Sequence, residues 1–176
     1  MNIFVAGIHG VGKTYLASRV APDVGMVHTS ASNLIKEERA LTTWTNDKRV
    51  ADVDANQRAL AAAVQRYNKL GTRLLLDGHF VLLNTEGEMT RLETRVFSTL
   101  NLDRVILIET GSQILAQRIK ERDDRKISLD HILEFMKAEH DHAENVCTEL
   151  EIPLVILVTP SPEEFAVAVS GSNNFE

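Results

Sequence analysis

The stretch GIHGVGKT, Gly7 to Thr14, decides how this chain is read. Gly7, Gly12, Lys13 and Thr14 satisfy the pattern G-x-x-x-x-G-K-[ST], and Gly10 adds a third glycine inside the loop. Such a pattern carries meaning only between a strand and a helix. Here the apolar run NIFVA (Asn2–Ala6) precedes it, and a helix-forming segment from Lys13 to Val20 follows. In that setting the glycines let the backbone turn tightly enough for its N–H groups to surround an anion, and the helix start adds its positive end. The expected ligand is ATP with Mg²⁺. Gly7, His9, Gly10, Val11, Gly12, Lys13, Thr14 and Tyr15 form the expected cradle, with Lys13 on the β- and γ-phosphates and the Thr14 hydroxyl on the metal. The plain alternative is a glycine-rich turn that happens to carry Lys-Thr.

Outward from the loop, four more apolar runs follow: MVHT (Met26–Thr29), RLLLD (Arg73–Asp77), RVILIE (Arg104–Glu109) and LVILV (Leu154–Val158). Continuous rather than alternating runs suit strands covered on both faces of a parallel sheet. Helical spacing fills the gaps at Ser32–Leu41, Asp54–Leu70, Thr90–Leu100, Gly111–Arg122 and Leu129–Leu150. A last helix starts at PSPEE, where Ser161 is a cap, Pro162 sits in the first turn and two acids follow. Alternation of this kind predicts an α/β fold, a three-layer α/β/α sandwich.

The whole chain bounds the rest. Its 176 residues fit one domain, at about 1–170, with 171–176 as a disordered tail. With 44% hydrophobic and 25% charged residues it reads as a folded globular protein. A formal charge of −6 argues against nucleic acid as a partner, because that binding runs on Lys and Arg neutralising phosphates. Cys147 is the only cysteine, so no internal disulfide and no cysteine-based zinc site can form. The N-terminus lacks the marks of a signal peptide and no run reaches membrane-spanning length, so a cytoplasmic protein without a membrane partner is expected.

Asp77 closes the third apolar run in LLLDGH, at the strand end where ligands bind in open α/β sheets. A carboxylate there can hold Mg²⁺ through water opposite Thr14. Glu109, in LIET, ends the fourth run and is expected near the same crevice. With these parts in place the chain resembles the nucleoside monophosphate kinases with a P-loop, above all their short-lid, archaeal-type adenylate kinase branch, over about residues 1–160. TSASNLIKEE (Thr29–Glu38) resembles that family's Ser/Thr-rich acceptor turn and helix, with Lys36 where the family has arginine. DGH (Asp77–His79) resembles its aspartate-threonine-histidine. QRIKERDDRK resembles its lid, in which Arg118 and Arg122 match two arginines and Arg125 lies just beyond.

The resemblance implies a five-stranded parallel sheet of the P-loop NTPase type in the order 2-3-1-4-5. It also implies an acceptor-binding insertion at about 30–70 and a short lid at about 118–128. It implies ATP-dependent phosphoryl transfer to a nucleoside monophosphate, a small-molecule nucleotide partner. Lys13, Asp77, Arg118, Arg122 and Arg125 would be catalytic; Ser30, Ser32, Lys36, Gln57, Arg58 and His79 would meet the acceptor. Cations around the equatorial oxygens and exclusion of water are what that chemistry needs. The arginines read equally as a solvated face paired with Glu121, Asp123 and Asp124. Asn56 and Trp44 stand near the same pocket, Trp44 with packing as its first role. His79 can orient the acceptor or serve a turn contact. His9 reads first as a loop filler. His131, His140 and His142, with Glu144, read as helix-surface residues rather than metal ligands. Two rivals stand beside this reading: a kinase for a metabolite or polynucleotide hydroxyl, and a P-loop module that binds ATP without kinase activity.

Overall fold

A computed structural model describes residues 1–41, 53–83, 88–123 and 128–171. Five strands form one parallel sheet: β1 (Asn2–Ala6), β2 (Val27–Ser30), β3 (Leu74–Asp77), β6 (Leu102–Glu109) and β7 (Leu154–Val158). Their order is β2-β3-β1-β6-β7. Two further short strands, β4 (Val81–Leu83) and β5 (Met89–Arg91), form a separate antiparallel pair. They shift the strand numbering, but the five sheet strands stand in the expected 2-3-1-4-5 arrangement.

The burial of each strand follows its place. β1 and β3, inside the sheet, are buried along their whole length, whereas β7 at the edge is only partly covered. Right-handed crossovers then place the helices. α1 (Lys13–Val20) carries the chain from β1 outward to β2, while α2 (Ala31–Leu41), α3 (Val53–Lys69), α4 (Thr94–Ser98), α5 (Ser112–Asp123) and α6 (Leu129–Glu149) serve connections running the other way. α1 therefore covers one face and the others the opposite face. α7 (Pro162–Ser170) returns to pack beside α1. Its start is as expected: Ser161 Oγ accepts from Glu164 N at 3.2 Å, Glu164 Oε2 accepts from Ser161 N at 2.8 Å, and Pro162 follows the cap.

One expected helix is corrected. Thr90–Leu100 is not helical throughout: Met89–Arg91 pairs antiparallel with Val81–Leu83, Leu92 N donates to Phe80 O at 2.9 Å, and only Thr94–Ser98 forms α4. The local spacing was helical, but a cross-strand partner satisfies the backbone at 89–92, and tertiary pairing overrides propensity. α4 still buries Val96 and Phe97. Phe97 stacks on Phe80 with centroids 4.4 Å apart, and Phe4 meets both rings edge-on at 5.4 and 5.5 Å. This aromatic cluster fills the core beneath the carboxyl ends of β1 and β3.

Candidate functional site

Register brings the site together at those carboxyl ends. Asp77 lies opposite Ser30 of β2 and Val5 of β1, two residues before the loop begins. The loop itself requires glycine at Gly7: its φ is 137°, and a Cβ there would stand 2.4 Å from the Ile108 carbonyl oxygen on the neighbouring strand. α1 starts from Gly12 with no side-chain cap and no acid in its first turn. Its positive end is thus left to the loop.

Lys13 is buried, 7% exposed, and folds back over the loop, donating to Gly7 O at 2.5 Å and Ile8 O at 3.2 Å. Thr14 Oγ1 donates to Asp77 Oδ2 at 3.1 Å. The hydroxyl lone pairs remain for a cation, and a carboxylate beside a hydroxyl is a hard-oxygen donor pair that fits Mg²⁺. His28 Nε2 lies 2.7 Å from the same Asp77 oxygen. Burial alone pushes the Asp77 carboxyl up, but the His28 hydrogen bond and charge, then Lys13 and Thr14, outweigh it and hold it below the usual carboxylate range.

A cavity of about 540 Å³ opens from this corner. Gly12, Lys13, Thr14 and Asp77 line it, and Phe4, Leu60, Phe97 and Leu100 contribute apolar wall. Its size lies in the range of small-molecule sites. Of the expected residues, His9, Gly10, Tyr15, Ser30, Ser32, Gln57, His79 and also Asn56 line it. Ser30 Oγ accepts from Asn33 N at 3.1 Å and so caps α2, aiming that helix start at the cavity. Val11 is buried beneath the loop. His79 is pushed down to about 3, first by burial and then by the charges of Lys13 and His9, so its imidazole is neutral. Its Nδ1 is buried without a hydrogen-bond partner among the described residues, and its ring meets that of His9 edge-on at 5.5 Å.

Other expected residues stand elsewhere. Lys36 and Arg58 are exposed and do not line the cavity. Arg118, on α5, is exposed too, but its Nη1 donates to the Gly10 carbonyl at 3.2 Å, which brings it to the loop's outer edge. Arg122 lies in α5 with its side chain outside the described residues, and Arg125 and Trp44 lie outside them as well. Glu109 faces His140, 2.7 Å away, rather than the cavity. That hydrogen bond raises the His140 imidazole, with burial opposing and Glu144 assisting. Among the described residues no group of three or more His, Cys, Asp or Glu is placed to hold a metal ion. No helix among them is long and apolar enough to cross a membrane.

Two residues escaped the sequence reading. His28 sits in the weakest apolar run, and only its alternation with the exposed Val27 could have pointed it inward. Glu139 lies in α6, 1% exposed, accepting backbone hydrogen bonds from Gly7, Phe80 and Val81. Its signal was present: it falls on the stripe of Ile132, Phe135, Ala143 and Val146, a carboxylate at a core position of a helix.

The fold and loop define a three-layer P-loop protein. The chain matches the AAA domain over residues 6–136, more than half its length, and belongs to that family. No curated protein sequence matches it. Among solved structures it is similar to a gluconokinase from Sinorhizobium meliloti 1021, at 16% identity and a TM-score of 0.53, covering 97% of this chain and 90% of that one. It is also similar to a sugar kinase from Janibacter sp. HTCC2649, at 16% identity and a TM-score of 0.56, covering 97% and 92%. At such identity these likenesses speak for the fold.

Proposed function

We propose that the chain transfers the γ-phosphoryl group of ATP to a hydroxyl on a small acceptor with an apolar body. The observation that carries this reading is the single cavity joining Gly12, Lys13, Thr14 and Asp77 to the wall of Phe4, Leu60, Phe97 and Leu100. Thr14 and Asp77 would hold Mg²⁺, which would supply charge neutralisation on the phosphates. Lys13 exchanges its contacts with Gly7 O and Ile8 O for phosphate oxygens. The acceptor oxygen forms the new bond to the γ-phosphorus, the bond to the bridging oxygen breaks, and ADP leaves. The hydroxyl proton passes to the Asp77 carboxylate. Proton removal is late when the transition state is loose, so a weak base suffices. Arg118, at the Gly10 carbonyl, stands where its charge can reach the transferring group. The names of the two kinases above agree with a small-molecule hydroxyl acceptor. The apolar wall argues against a bare polyol, whose hydroxyls would go unpartnered there.

A nucleoside monophosphate is the second reading, favoured by the Asn56 and Gln57 amides on the cavity wall, where a base edge can be read. Against it, Lys36 and Arg58, the cations expected at the acceptor phosphate, are exposed outside the cavity. A coupled ADP-release assay decides between them, run over nucleosides, nucleoside monophosphates, aromatic and aliphatic alcohols, and sugars including gluconate. Turnover stimulated by an apolar-bodied alcohol or a nucleoside is the expected result. Stimulation by monophosphates alone moves the chain to the second reading. Tight Mg·ATP binding with no stimulation by any acceptor overturns both in favour of a binding module.

A further inference from the structure

Glu139 is the most buried carboxylate among the described residues, and it faces the nucleotide loop rather than a partner side chain. Its Oε1 accepts from Gly7 N at 3.2 Å and from Phe80 N at 3.0 Å; its Oε2 accepts from Phe80 N at 3.0 Å and Val81 N at 2.7 Å. Both oxygens are therefore committed to backbone donors. Gly7 opens the phosphate loop, and its own carbonyl accepts from Lys13 Nζ at 2.5 Å. Phe80 and Val81 directly follow His79 on the cavity wall. Glu139 thus ties two pieces of chain more than seventy residues apart in sequence, one on the ATP side and one on the acceptor side. A helix that had only to pack here would carry a leucine, and a buried carboxylate is retained only against a matching set of donors. Burial raises its carboxyl, while the Phe80, Val81 and Gly7 N–H groups and the Lys13 charge favour the ionised form.

We infer that Glu139 is a positioning residue: by holding the Gly7, Phe80 and Val81 peptides on one carboxylate, it sets the phosphate loop at a fixed distance from the His79 wall. The role rests on the nucleotide reading of the loop. It predicts that Glu139 governs nucleotide affinity from outside the cavity, since Glu139 is not among the residues that line it.

The test compares the full chain with Glu139→Gln and Glu139→Asp. The amide of Glu139→Gln turns an N–H₂ toward a backbone N–H, and Glu139→Asp withdraws the carboxylate by one methylene. Mg·ADP affinity by calorimetry, at a temperature where circular dichroism shows each protein folded, is expected to weaken by about tenfold or more in both. A purely packing role lowers the unfolding midpoint and leaves the affinity of the folded molecules unchanged. The second readout needs no ligand: amide hydrogen exchange is expected to quicken across Gly7–Gly12 and at Phe80 and Val81, with β6 amides unchanged. Unchanged affinity and unchanged loop exchange in a folded variant overturn the inference, as does failure of both variants to fold, which assigns Glu139 to the fold alone. Should the unaltered chain not bind Mg·ADP, the nucleotide reading falls and the exchange data alone decide the positioning role.

Discussion

Thr14 Oγ1 and His28 Nε2 meet on one oxygen of Asp77, at 3.1 and 2.7 Å. A residue from the loop helix and one from the edge strand β2 therefore orient the carboxylate at the end of β3. Replacing Asp77 by Asn keeps the shape and removes the charge. Half-saturation of ADP binding in a Mg²⁺ titration should then require about 10–100-fold more metal, the usual scale for outer-shell metal partners. An unshifted titration would remove Asp77 from the metal's surroundings.

The loop glycines should differ sharply in tolerance. At Gly12, φ is 105° but nothing lies within 4 Å of an added Cβ, so Gly12→Ala should cost only the backbone strain, about 1–2 kcal/mol. At Gly7 the added carbon meets the Ile108 carbonyl at 2.4 Å, and Gly7→Ala should cost about 2–5 kcal/mol. Urea denaturation of the two variants measures the difference, and equal costs would contradict the packing of the loop on β6.

Arg118 donates to the Gly10 carbonyl from the exposed side of α5. Arg118→Ala should lower kcat by about 10³-fold, the lower end for an arginine acting on a transferring phosphoryl group. Mg·ADP affinity should hardly change. Equal losses in kcat and affinity would instead make Arg118 a loop strut.

His79 gives the chain an acid-sensitive limb. Its imidazole is lowered from 6.5 to about 3 in the fold, by burial first and then by Lys13 and His9. Between those values the unfolded chain binds the proton and the native chain does not, so stability falls on acidification below about 6.5 until about 3. The loss is on the order of a few kcal/mol. Asp77, lowered from 3.8, adds a loss in the same direction that begins as the pH falls through about 3.8, within the acid end of the His79 window. Glu139, raised above 4.5, works the other way, its contribution fading as pH rises through its native value. Denaturation midpoints at pH 7.5 and 5 should therefore lie closer together in His79→Asn than in the unaltered chain, and an unchanged gap would refute the neutral buried imidazole.

The fold was legible where one periodicity dominated. NIFVA and LVILV form the strands β1 and β7 over the residues expected, and Lys13–Val20 is α1 as expected, because an apolar run or an amphipathic stripe leaves little choice. Thr90–Leu100 misled because its spacing is helical while the backbone partner of its first residues, Val81–Leu83, lies outside the segment. The loop end of the cavity was legible because its pattern is local, packed into eight successive residues. The remaining cavity wall draws on β1, α2, α3 and α4, and no short pattern encodes which faces of those elements converge. Lys36 and Arg58 illustrate this: their charge suited the expected role, but helix phase turned both outward. Glu139 shows the converse, a charge on an apolar stripe whose backbone donors only the folded chain reveals.

Phe4 and Phe97 belong at once to the aromatic cluster of the core and to the cavity wall. A change of acceptor made through either ring would also loosen the protein's interior, so these two positions resist drift. Ile35, Asn56 and Gln57 line the same cavity while only partly buried, on helices away from that cluster. Diversification of acceptor preference among descendants of such a chain is therefore channelled through α2 and α3, leaving the aromatic floor as the inherited part.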